Sequence, residues 1–165
     1  MPNKPFNPIA AKTRLRVNGN VRRHMSIPQH LWRFPTRKAI DSLAARFGLP
    51  NSPEMQDWEW EVADPARIDE FLSAYSGGDL DDDERFTIME TLLQSFEAST
   101  FELSSDSRWE RVLSELEKHI DLHAYTVWYW SCLDTEDVEG WFRLTPHLRR
   151  ILARHRTRLE QPRAV

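Results

Sequence analysis

"HAYTVWYWSCLDTEDVEGWFRLTP" runs from His123 to Pro146, and the reading of this stretch decides the fold. From Tyr125 to Cys132 the residues are mostly aromatic or β-branched, the composition of a strand. Asp134 to Glu139 is polar and reads as a connection, and Gly140 gives the chain freedom to turn. Trp141 to Leu144 then reads as a returning strand. A β-hairpin over 125–144 is therefore expected. In such a strand Trp128 and Trp130 would share one face, and Tyr125, Val127 and Tyr129 the other.

Upstream, "TRKAIDSLAARFG" predicts a helix, with Thr36 as N-cap and Gly48 at its end. Ile40, Leu43, Ala44 and Phe47 recur at helical spacing and define its buried face. "MQDWEWEVA" switches to a period of two: Trp58, Trp60 and Val62 alternate with Asp57, Glu59 and Glu61, so 57–62 reads as a strand. "DPARIDEFLSAYSGG" predicts a helix opened by Asp64 and Pro65 and closed by Gly77 and Gly78. Further helices are expected over "DLDDDERFTIMETLLQSFEAS", whose acidic start suits the positive end of a helix dipole, over "SSDSRWERVLSELEKHIDLH", and over "TPHLRRILARH". The predicted class is α+β: about five helices packed on a small antiparallel sheet made of 57–62, 125–132 and 139–144.

Residues 1–35 contain five prolines and no regular apolar pattern. They read as a basic, partly disordered arm with at most a short strand at Arg14–Val17, ahead of a single acidic globular domain at 36–165. The net charge of −4 conceals strong segregation. Residues 1–40 carry a charge of +9, residues 41–147 carry −18 and residues 148–165 carry +5. An acidic body of this size repels phosphates and argues against a broad nucleic-acid footprint. The basic ends are expected to fold back on the body or to bridge to a second subunit in a homodimer. The single cysteine, Cys132, rules out an intrachain disulfide and fits a reducing compartment. No apolar run approaches the length of about 18 residues that a membrane span needs, and the start of the chain lacks the apolar stretch of a signal peptide. A cytoplasmic protein is the expectation.

No cofactor is expected. His119 and His123 stand four apart, a spacing that lets two imidazoles share a metal on one helix face, but the Glu of the HExxH motif is missing. Asp134, Glu136, Asp137 and Glu139 do not keep the ligand spacing of a Ca²⁺ loop, and neither does "DLDDDE" at 79–84. Cys132 lies in an aromatic run that suits inert packing better than a nucleophile. There is no Gly-rich phosphate loop, nucleotide fingerprint or G-x-S-x-G elbow.

What stands out instead is aromatic residues beside acids. Trp128, Tyr129, Trp130 and Trp141 next to Asp134, Glu136, Asp137 and Glu139 suit a surface that anchors and steers a basic protein partner. "FTIMETLLQSFEAS" together with "HAYTVWYWSCLDTEDVEGWFRLTPHLRRIL", within residues 86–152, resembles the immunity proteins of bacterial polymorphic-toxin systems. The resemblance implies a non-enzymatic role in neutralising a toxin, such as a nuclease, without naming the toxin. The alternative expectation is a metal-dependent enzyme that uses His119, His123 and the Asp134–Glu139 acids.

Overall fold

The computed structural model describes residues 22–164. Most of the expected arm, including the strand at Arg14–Val17, lies outside the described residues. Among those residues the structure is helical, with no strand and no sheet. The α+β expectation, with its antiparallel sheet and its 125–144 hairpin, is thereby corrected to an all-helical fold. The helices are α1 (Arg37–Phe47), α2 (Trp58–Glu61), α3 (Ile68–Ser76), α4 (Asp82–Ala98), α5 (Ser107–Lys118), α6 (Ile120–Trp130) and α7 (Thr145–Glu160), joined by short 3₁₀ turns.

α4 is the centre, packed against α1, α2, α3 and α6. Its buried residues, from Phe86 through Leu93 and on to Ser95 and Phe96, cover every face of the helix. A helix buried all round has no wet face and no amphipathic stripe. Thr87, Thr91 and Ser95 lie along it at four-residue spacing, and each hydroxyl donates to the carbonyl four residues back, so these small polar groups enter the core satisfied. The start of α4 is closed by a reciprocal capping box between Asp81 and Glu84. α6 pairs with α7, and α5 packs against α3, α6 and α7.

Each expected strand has a physical reason for being helical. From Tyr125 the aromatic and β-branched composition of α6 predicts a strand, because residues of this kind cover the helix on all sides and hide its period. In the structure Ile120, His123–Trp128 and Trp130 are all buried, so α6, like α4, is enclosed, and a short enclosed helix shows no period. It also begins earlier than the aromatic run. α5 ends at Lys118, His119 alone breaks the helical geometry, and α6 starts at Ile120. For 57–62 the alternation "WEWEV" is a single helical turn. Two residues apart on a helix lie on nearly opposite sides, and Trp58 is accordingly 2% exposed while Trp60 is 40% exposed. Residues 139–144 form the end of a 3₁₀ turn (Val138–Gly140) and a short irregular link into α7, from which Phe142 and Leu144 enter the core.

Residues 22–35 are integrated into the body. Arg23 and Ile27 are buried, the Trp32 indole N–H donates to the Ile27 carbonyl at 3.0 Å, and the His30 ring donates to the Leu159 carbonyl at 2.8 Å. Among the described residues, basic side chains near both ends pair with the acidic body: Arg23 with Asp134, Arg33 with Asp83, Arg154 with Glu117, and Arg158 and Arg163 with Asp121.

The caps anticipated for α1 are present. Thr36 accepts the Ala39 N–H at 3.2 Å, and Gly48 ends the helix at φ +62°. A Cβ at Gly48 would meet nothing within 4 Å, so the only cost of a side chain there is the left-handed backbone. Gly48→Ala should therefore destabilise the fold by about 1 kcal/mol, and Gly48→Asn by less. Denaturant midpoints of the two variants measure this, and an Ala variant as stable as the parent would mean that the turn relaxes.

Candidate functional site

The structure divides the eight residues expected at the partner surface. Trp128 and Trp130 are core residues, 4% and 0% exposed, and cannot anchor a partner. Trp130 packs on Phe142 with ring centroids 4.4 Å apart. Tyr129 is partly buried and Asp134 nearly so; both face Arg23, which donates to Asp134 at 2.9 Å and lies 5.3 Å from the centre of the Tyr129 ring. Burial pushes the Tyr129 phenol up to about 12 against the opposing charge of Arg23. Glu136, Asp137 and Glu139 are exposed, as expected of an acidic loop. Trp141 is partly buried, and its indole N–H donates to the Thr135 carbonyl at 3.0 Å.

The loop is well built. The left-handed residue that usually follows a helix end is here Cys132, at φ +48°, directly after the α6 C-cap Ser131. From α7, Arg149 reaches into the loop and donates to the carbonyls of Ser131, Cys132 and Thr135 at 2.8–3.0 Å. Its guanidinium also lies 4.1 Å from the centre of the Trp141 ring and 3.3 Å from Glu136. Asp137 caps the 3₁₀ turn by accepting the Glu139 N–H at 3.1 Å. At the head of that turn Val138 is 67% exposed, one of the few large apolar side chains in water among the described residues. The arrangement offers three carboxylates and one apolar contact on a backbone held from beneath by a single arginine.

The two histidines of the metal alternative are not brought to this loop. His123 is fully buried between Tyr75 and Phe86; its Nε2 is hydrogen-bonded to the Tyr75 hydroxyl at 2.7 Å, and Arg85 donates to the same phenol oxygen at 3.2 Å. Its Nδ1 has no hydrogen-bond partner among the described residues. Burial, reinforced by Arg85, His119 and Arg33, lowers its pKa to about 3, so it is neutral. His119 faces Glu115 at 3.4 Å. Among the described residues no group of three His, Cys, Asp or Glu is placed to hold a metal ion. A hollow of about 340 Å³ at the start of α5 is lined by Phe101, Asp106 and Arg108 among others, and Arg108 is paired there with Asp106 and Asp69.

One residue of interest was missed in the sequence. Glu90 lies in the middle of α4, 8% exposed, and takes hydrogen bonds from the Thr126 hydroxyl and, at 3.3 Å, from the Trp130 indole. Burial, with nearby Glu59 adding to it, raises its pKa to about 7 against the pull of those two donors. The signal was present in "FTIMETLLQSF": a carboxylate inside an apolar run long enough to be enclosed.

No family model matches this chain, and no curated protein or solved structure matches it significantly.

Glu90 and His123 have opposite effects on stability against pH. Folded Glu90 holds its proton up to about pH 7, against 4.5 for a free carboxyl, so its stabilising contribution is complete below pH 4.5 and is lost as pH rises through 7. Folded His123 stays neutral down to about pH 3, against 6.5 when free, so its contribution is present above pH 6.5 and is lost as pH falls through 3. Between pH 4.5 and 6.5 the two slopes, each about 1.4 kcal/mol per pH unit, oppose one another. Glu90→Gln removes one of them, so the variant's stability should climb more steeply with pH across that window than the parent's. Chemical denaturation at a series of pH values tests this, and parallel profiles for parent and variant would exclude it.

Proposed function

We propose that this chain is a protein-binding domain of the immunity or inhibitor kind, which neutralises a basic partner such as a toxin or nuclease through the Asp134–Trp141 loop. The observation that carries the reading is the loop itself. Glu136, Asp137 and Glu139 flank the exposed Val138, and Arg149 clamps the backbone that presents them. A loop ordered before binding loses little entropy on association, and its carboxylates accelerate encounter with a cationic surface. Val138 supplies the apolar contact that Trp128 and Trp130, both in the core, cannot. The resemblance of residues 86–152 to toxin-immunity proteins supports the same reading, as does the exposure of Glu136, Asp137 and Glu139. The reading places the protein in the cytoplasm; no described helix is long and apolar enough to cross a membrane.

The test replaces Glu136→Gln, Asp137→Asn and Glu139→Gln together and leaves the buried Asp134 intact. The triple variant should keep its stability to within about 0.5 kcal/mol, because the three side chains are exposed. Immobilised parent protein should retain a basic protein from the source cells in low salt and release it as salt is raised, and the triple variant should not retain it. Equal retention by parent and variant, or retention that ignores salt, would refute the proposal.

A further inference from the structure

Arg23 occupies a socket that would suit an arginine from any chain. Its side chain is 5% exposed and donates to Asp134, itself 10% exposed, at 2.9 Å. The guanidinium lies 5.3 Å from the Tyr129 ring centre and 5.1 Å from that of Phe142, so two aromatic faces and one carboxylate line the site. Cation–π contact and a charge-assisted hydrogen bond are the two interactions that select arginine over lysine. Two of the lining residues, Tyr129 and Asp134, belong to the surface expected to meet a basic partner, and Asp134 is continuous with the exposed acids at 136–139.

The segment that delivers Arg23 is short, and besides Arg23 it is held by His24, whose ring centre lies 4.1 Å from that of Trp32 and whose Nδ1 lies 3.0 Å from the Tyr125 hydroxyl. Residues 22–25 make one helical turn with Met25 two-thirds exposed, and Ile27 then anchors the chain before Pro28 redirects it. Removing Arg23 would leave Asp134 as a buried carboxylate deprived of its hydrogen-bonding cation, a state costly enough to favour any guanidinium that can enter.

We infer that the Tyr129–Asp134–Phe142 socket is an arginine-recognition subsite held closed by the chain's own Arg23, and that an arginine-bearing basic partner docks by displacing it. This rests on the reading of the adjoining loop as the partner surface. Arg23 is then a stand-in for the partner's side chain, and the segment 22–27 is a latch on the site.

The probe is a synthetic peptide with the sequence of residues 18–27, NGNVRRHMSI, added to the full-length protein. Full-length Arg23→Ala should bind it at least tenfold more tightly than the parent, whose socket is filled. Adding Asp134→Asn to that variant, or changing the peptide's own Arg23→Lys, should remove the gain. Arg23→Lys in the protein preserves the charge and surrenders the flat guanidinium; it should also take up the peptide more tightly than the parent, and it carries the test if the alanine variant does not fold. Equal affinity of the parent and both variants, or binding that survives Asp134→Asn, overturns the inference. If the socket fails in this way while the triple loop variant still loses its basic partner, the inference falls and the proposed function stands.

Discussion

A helix with buried side chains all round exists in water only if other helices enclose it, and that is the condition α4 imposes on this chain. α1, α2, α3 and α6 all pack against it, and the polar groups it carries inward must find partners there. The carboxyl of Glu90 is the most demanding of these. Its partners, the Thr126 hydroxyl and the Trp130 indole, sit one helical turn apart on α6, so the position of α6 along α4 is fixed by hydrogen bonds as well as by packing. Leaving a buried carboxyl without donors costs more than most apolar contacts return, so the pair specifies how the two helices dock.

Charge organises the outer layer. The sequence segregates basic ends from an acidic middle, and among the described residues folding brings arginines near both ends onto acids of the middle. Arg154, Arg158 and Arg163 meet Glu117 and Asp121 on α5 and α6, and Arg23 and Arg33 meet Asp134 and Asp83. Most of these pairs are exposed and individually weak. Arg23–Asp134 differs because both side chains are buried. Together these pairings engage Asp83, Glu117, Asp121 and Asp134, and leave Asp137 and Glu139 of the loop exposed.

The helices with one wet face were legible: α1, α3 and α5 show regular apolar spacing, and Thr36 and Gly48 cap α1, while Asp64 caps the 3₁₀ turn Pro65–Arg67 that precedes α3 rather than α3 itself. α6 was not legible, for two physical reasons. Burial on every side erased its period, and no glycine marked its end, because Cys132 itself takes up the left-handed turn. The acids of the candidate site were read correctly as exposed at Glu136, Asp137 and Glu139, since a polar run between apolar segments has nowhere else to go. The aromatic anchors were misplaced along with the strand. Alternation on a sheet would have offered a wet face to some of Trp128, Tyr129 and Trp130, whereas an enclosed helix buries Trp128 and Trp130. The roles of Arg23 and Arg149 depend on contacts between distant parts of the chain that no local pattern encodes.

Cys132 has a consequence of a different kind. It is the only thiol in the chain and is wholly enclosed, close to Arg23 and 3.4 Å from the Thr145 hydroxyl. A thiol reagent in solution can reach it only while the corner between α6 and α7 is open. The rate at which the native protein is labelled is therefore a clock for the opening of that corner, read without any engineered probe. The clock sits at the root of the acidic loop, so it times the local motion that a partner docking there would suppress.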